Sequence, residues 1–415
     1  MITSIRLVNF KNFADETLRV GPFTVIVGAN ASGKSNIRDA FRFLCGIGTG
    51  FTLAEIIGGK SRSDWEPIRG AANEIIRFGQ ERFSIEVEMN LDDGSAHYMI
   101  EIGPNKKNPG EFQIKKEKLK VESETIYIAQ SDGEKLRVRG AWDKDQKENL
   151  LESNQAVLKQ ITIPPIPIES MSKEAFYELL PKIAEVCFIL FEMRFLELSP
   201  DRMREPSLSG MDMLGDFGEN LPTVLKEICA DSRRQEILTS WVQELTPMDV
   251  EDFEFPRDPS GRIHLRLCEA NGRKVSAYSA SDGTLRFLAL LATLLGKYPE
   301  GLHFFEEIDT GIHPARQWLL LELIEKQAEK GNIQIITTTH SPDMLTFVND
   351  STFENMSVVC RLEDSHDAII RRVAELPNVR ELRKSQGLGR LLTEGWLETA
   401  LAFTEDYDEA EDDGE

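Results

Sequence analysis

Gly28, Ala29, Asn30, Ala31, Ser32, Gly33, Lys34 and Ser35 fit the pattern G-x-x-x-x-G-K-[ST] in full, a spacing suited to holding phosphate. Glycines let the backbone close around an anion, and successive N–H groups and a helix N-terminus turn their positive ends toward it. Lys34 would reach the β- and γ-phosphates, the Ser35 hydroxyl would ligate Mg²⁺, and Asn36 ends the expected nucleotide-binding run. Such a loop also needs a carboxylate at a neighbouring strand end for the metal and a base for an attacking water. The run LHFFEE at 302–307 offers both, with Glu306 as the expected metal-side acid and Glu307 as the expected base. Ser281-Asp282-Gly283-Thr284 opens an apolar run at 284–296. A serine there is either an ordinary N-cap or a second anion site. His340 closes an apolar run at 333–339, where it either meets a phosphate or its water, or is a satisfied core residue.

The elements that must position these groups follow from periodicity. Residues 2–8 and 23–28 are short β-branched runs. After the glycine-rich loop, Ile37, Ala40, Phe41 and Leu44 recur at i, i+3, i+4 and i+7, so 23–45 reads strand, loop, helix. Residues 82–90 and 96–102 alternate around Asp92-Asp93-Gly94, a hairpin signal that opens a β-meander through about residue 140. Lysines 106, 107, 115, 116, 118 and 120 are expected at a lysine-defended strand edge, with a polyanion contact as the alternative. Residues 145–175, with Pro164, Pro165 and Pro167, read as a connection; 173–183, 221–230 and 234–245 read as helices. Strands are expected at 261–269, 302–306 and 333–339, with helices at 284–296 and 315–329. That alternation argues for a sheet covered by helices, an α/β protein.

Composition narrows the function. The 415 residues carry a formal net charge of −22, which argues against a protein that coats polyanions over its whole surface, since phosphate neutralisation needs a basic face. Cys45, Cys187, Cys229, Cys268 and Cys360 show no metal-ligand spacing and are expected as buried thiols in a reducing cytosol. No run approaches a membrane span and no secretory leader is visible, so a cytoplasmic location is expected.

Taken in order, 28–35, 281–284, 306–307 and 340 resemble the Walker A, signature, Walker B and switch-histidine motifs of the ABC-type ATPase heads of the RecF, SMC and OLD families. Asn9, Phe10, Lys11 and Phe13 are similar to the opening strands of those heads. The match is specific over about 1–90 and 260–345. The resemblance implies a P-loop NTPase of ABC-ATPase type, with a mixed sheet, an antiparallel β-subdomain and a helical insertion. It implies ATP and Mg²⁺ as cofactors, Lys34, Glu307 and His340 as catalytic residues, and Ser35 and Glu306 as metal ligands. Ser281, Asp282 and Gly283 would contact the γ-phosphate held by a second head, so the expected assembly is a homodimer, or a higher homo-oligomer of paired heads. Asp309 stands where related heads carry an acid before a His-Pro step. The sequence departs from the family at Glu306, where Asp is usual, and in its Ala280-Ser281-Asp282-Gly283-Thr284 signature. No glutamine is singled out for the Q-loop; Gln80, Gln113 and Gln130 compete.

The expected organisation is an N-terminal half-head at 1–90, a β-meander at 91–145, a mainly helical insertion at 146–255, the C-terminal half-head at 256–375, a helical segment at 376–403 and an acidic disordered tail at 404–415. No heptads span the insertion, so no long coiled coil is expected. Arg202 or Arg204 would reach a phosphate or the partner head, or else pair with Glu205 or Asp201. Too few residues follow His340 for the Toprim nuclease domain of OLD nucleases, so a stand-alone OLD-like ATPase is expected. It would regulate a separate effector, a nuclease among the candidates, in anti-phage defence or DNA transactions. The alternative is a RecF-like DNA-repair ATPase clamping DNA directly; a membrane-transporter subunit and a non-hydrolysing nucleotide sensor fit less well.

Overall fold

The computed structural model describes residues 1–58, 65, 67–142, 148–162, 173–246, 248–361 and 367–401, and the side chains of 173–176 lie outside that description. The expected acidic tail at 404–415 and the Pro164, Pro165 and Pro167 connection fall outside the described residues.

Two sheets dominate. Strands β1 (Ile2–Phe10), β2 (Phe13–Arg19), β3 (Phe23–Val27), β4 (Phe83–Leu91), β5 (Gly94–Pro104), β6 (Phe112–Val121), β7 (Glu124–Ser131), β8 (Lys135–Gly140), β9 (Asn149–Glu152) and β10 (Arg194–Leu196) are followed by β11 (Val250–Glu254), β12 (Arg266–Glu269), β13 (Lys274–Ser276), β14 (Gly301–Phe305), β15 (Ile333–Thr339), β16 (Met356–Arg361) and β17 (Ala368–Arg372). The first sheet runs β2-β1-β4-β5-β6-β7-β8-β9 and every pairing in it is antiparallel. Leu91 opposes Gly94 across the Asp92–Asp93 turn, and Gly94 takes φ +103°, the left-handed conformation glycine adopts freely. The second sheet runs β10-β14-β15-β3-β16-β17, parallel except for β17. Strands β11–β13 form a small third sheet.

The parallel strands are mostly apolar or threonine because both faces are covered, with buried His303 in β14 and Gln334 in β15 among the exceptions. Side chains alternate along β3, with Ile26 packing toward the first sheet and Val25 and Val27 entering a second core. Helix α1 (Lys34–Thr49) and helix α2 (Lys173–Phe191) fill the space between the sheets with Ile37, Phe41, Leu44, Ile183, Val186 and Leu190. Helices α3 (Leu221–Ile228), α4 (Ser232–Leu245), α5 (Asp282–Leu295) and α6 (Gln317–Ala328) cover the opposite face. Gln334 of β15 is buried, accepts from Ile2 N at 2.7 Å and donates to Ile2 O at 2.7 Å, tying the two sheets together.

Several expectations shift. β6 is interior, paired with β5 and β7, so its lysines defend no edge. The 173–183 helix continues through Pro181 to Phe191. Only the second half of 261–269 is strand; Ile263 instead bridges Ser207 and Arg257. The 146–255 stretch contributes β10 to the parallel sheet as an edge strand beside β14. Cys45 and Cys187 are buried, but Cys229, Cys268 and Cys360 are only partly so.

Candidate functional site

Parallel order brings the C-terminal ends of β10, β14, β15 and β3 to one edge, where open α/β sheets place ligands. From β3 the chain enters Gly28–Gly33 and turns into α1. Gly28 has φ +149°, Gly33 φ +117° and Ala31 φ +63°. A Cβ on Gly28 would lie 2.1 Å from the Val359 carbonyl oxygen, so only glycine fits. Gly33 caps α1 without a side-chain bond, leaving that helix N-terminus to a ligand. Lys34 Nζ folds back onto the loop, donating to Gly28 O at 2.6 Å and Ala29 O at 2.7 Å. Burial lowers its pKa, and Glu307 and Glu398 oppose that shift. Ser32 Oγ is buried with no partner, an orphan that a phosphate oxygen would satisfy. These features fit a nucleoside triphosphate. Ser35 is exposed, while Asn36 Nδ2 donates to Asn12 Oδ1 at 2.7 Å, which fixes the β1–β2 hairpin over the loop.

Glu306 and Glu307 leave β14 in different directions. Arg69 Nη2 meets Glu306 Oε1 at 2.5 Å, and Arg38 Nε stands 3.9 Å from the same oxygen. Glu307 has φ +50°, and its N–H donates to Thr338 Oγ1 at 3.2 Å. Its Oε1 lies 3.6 Å from His340 Nδ1, and both side chains are about half exposed. Thr310 Oγ1 donates to Glu307 Oε2 at 3.2 Å. Asp309 accepts from Thr339 Oγ1 at 2.8 Å, and burial raises its pKa.

Ser281 caps α5, accepting from Thr284 N at 3.2 Å, a bond of about 1 kcal/mol. Ser281 and Asp282 are exposed; among the described residues they make no hydrogen bond to the Gly28–Asn36 loop. Arg204 holds this turn from behind. Its Nη2 reaches Asp282 Oδ1 at 2.5 Å and Ala280 O at 3.2 Å, and its Nη1 reaches Asp201 at 3.1 Å. The Asp201 pairing was one of the two expectations; the Asp282 contact was not foreseen. Arg202 lies 3.8 Å over the Phe217 ring.

Arg38, Arg69, Asn12 and Glu197 were missed from sequence. Glu197 follows β10 and stands 3.6 Å from Arg38. The only signal was a Leu-Ser-Pro turn after a three-residue strand. Gln113 and Gln130 lie in β6 and β7, and Gln80 in the loop before β4. Leu388, Leu391, Leu397 and Leu401 bury into the second core, so the C-terminal segment packs on the head. A Cβ on Gly389 would lie 2.2 Å from Pro342 O, just past His340. Among the described residues no helix is long and apolar enough to cross a membrane.

A phosphate loop between β3 and α1, with acids ending β14 on the far side of β15, defines a P-loop ATPase head. The chain belongs to the family described as "AAA domain, putative AbiEii toxin, Type IV TA system", matched over residues 23–206 and 244–345. No curated protein matches it. Among solved structures it is similar to an SMC head bound to the C-winged helix domain of ScpA, at 15% identity and a TM-score of 0.50, covering 89% of this chain and 97% of that one. An SMC head domain from Thermotoga maritima aligns at 14% identity over 90% of this chain and 98% of that one, with a TM-score of 0.43. The first of these likenesses carries the fold: an α/β P-loop ATPase of SMC-head type, with an antiparallel sheet beside a mixed parallel one.

Proposed function

We propose that this chain is an Mg-dependent ATPase whose head closes on a second copy around ATP and passes its nucleotide state to a separate effector. The observation that carries this reading is the split between a phosphate loop flanked by Glu306, Glu307 and His340 and an exposed Ser281 turn on another helix, unbonded to that loop. Such a half-site makes chemical sense when a second head brings its Ser281 to the first head's γ-phosphate.

In this reading Lys34 leaves the Gly28 and Ala29 carbonyls for the β- and γ-phosphates, and Ser32 and the loop N–H groups hold the same oxygens. Ser35 and Glu306 would hold Mg²⁺, which neutralises charge on the β- and γ-oxygens when bound. Glu306 is longer than the usual Asp, and Arg69 must release it. Glu307 orients a water in line with the γ-phosphorus. As the new O–P bond forms and the bond to the β-phosphate oxygen breaks, the water's proton passes to the Glu307 carboxylate. His340 and the partner's Ser281 steady the γ-oxygens.

An OLD-like role in phage defence, with a nuclease or other protein as effector, is supported by the family's toxin–antitoxin description and by the motif resemblance. Mixing two inactive variants tests the composite site. Lys34→Ala and Ser281→Arg should each lose turnover alone, and an equimolar mixture should regain a measurable fraction, because a hybrid pair holds one intact site. A mixture as inactive as its parts would overturn the two-head reading.

A further inference from the structure

The outer face of the eight-stranded sheet carries cations that nucleotide chemistry does not use. Along β6 the side chains of Glu117, Leu119 and Val121 turn inward and are buried, while Lys116, Lys118 and Lys120 line the opposite face. Register sets Lys118 beside Ile128 and Lys116 beside Gln130 on β7. Those two in turn sit beside Arg139 and Arg137 on β8. The result is a ladder of cations spaced about 6.6 Å along each strand. It borders a depression of about 820 Å³ lined by Ile128, Gln130, Arg137 and Arg139 together with the carboxylates Asp132 and Glu148.

The charges on this face are unequally matched. Arg137 pairs with Asp132 at 3.2 Å and Glu148 at 3.1 Å, and Arg139 with Glu148 at 2.6 Å. On the β5 side, Glu101 gives its carboxylate to Arg82 at 3.0 Å, and His97 turns to Glu86 at 3.2 Å. Among the described residues no carboxylate reaches Lys116, Lys118 or Lys120. Burial, then the neighbouring Lys120 and Lys116, holds the Lys118 ammonium below its usual pKa.

We propose that this face binds the phosphate backbone of a nucleic acid. Regularly spaced ammonium groups are point charges suited to phosphates. The half-exposed Ile128 and the Gln130 amide form a floor that a base could contact. Strand addition by an extended peptide needs a free edge, and β6, β7 and β8 are paired on both sides, which leaves side-chain charge as what this face offers. With −22 on the whole chain, any such contact must be local, and here it is. The inference does not depend on the two-head reading.

The test is fluorescence anisotropy of the full chain without nucleotide, using a short fluorescein-labelled DNA duplex and its single strand across a salt series. Wild type should bind with log K falling linearly with log salt. Lys116→Glu/Lys118→Glu/Lys120→Glu should lower affinity at least tenfold and flatten the slope by about 2–3, with ATP turnover retained; should that variant fold poorly, the Lys→Gln triple replaces it. No salt-dependent binding by wild type, or an unchanged slope in the triple variant, would overturn the proposal. So would polyglutamate that competes as well as DNA of equal charge, which would assign the face to an acidic protein.

Discussion

A Cβ placed on Gly283 would lie 2.0 Å from the carbonyl oxygen of Gly311; the first turn of α5 and the loop after Glu307 touch backbone to backbone. Gly311 ends the Glu307-Ile308-Asp309-Thr310 turn, so displacement at Glu307 or Asp309 presses directly on the helix that presents Ser281.

Gly283→Ala forces these two segments apart. The expected cost is about 1–3 kcal/mol in stability, with turnover and ATP-dependent association both falling at least tenfold while ATP binding persists. Calorimetry of ATP binding beside phosphate release checks it; unchanged turnover would mean that the contact carries no coupling.

Stability should fall with acid in a defined window. His303 of β14 is buried, its Nε2 lies 3.0 Å from Pro299 O, and burial lowers its pKa from 6.5 to about 4. The unfolded chain therefore takes up a proton before the folded one does. His303 contributes its full share of stability above about pH 6.5, and that share is lost as pH falls toward 4, by about 3 kcal/mol in all. His303→Gln should flatten the pH dependence of urea unfolding between those limits.

Glu117, inside the same strand as the lysines, is fully buried and accepts from Tyr98 Oη at 3.1 Å, Tyr127 Oη at 2.9 Å, Val157 N at 2.8 Å and Leu158 N at 3.0 Å. Glu117→Ala leaves four buried donors without an acceptor. A loss of about 3–5 kcal/mol is expected, read as a lower urea midpoint. A midpoint within error of wild type would contradict this account of the β-subdomain core.

The phosphate loop and the acids after β14 were legible because their chemistry restricts residue type over a few consecutive positions at a strand end. β10 was not, because three residues are too few for a period to appear, yet it places Glu197 against Arg38. The lysine run was misplaced for a related reason. Alternation of Lys with Glu117, Leu119 and Val121 marks one wet face, but an edge strand and an interior strand of a one-sided sheet share that pattern. Arg69 and Asn12 reach the site from segments distant in sequence, through pairings that only the folded chain sets.

The central claim is tested most directly by light-scattering mass with Mg-ATP, on wild type and Glu307→Gln, while phosphate release is followed. The account predicts that ATP doubles the mass, that Glu307→Gln stays associated, and that its phosphate release falls by about 10²–10⁴-fold. A mass indifferent to ATP in both proteins, with phosphate release untouched by the substitution, would contradict it.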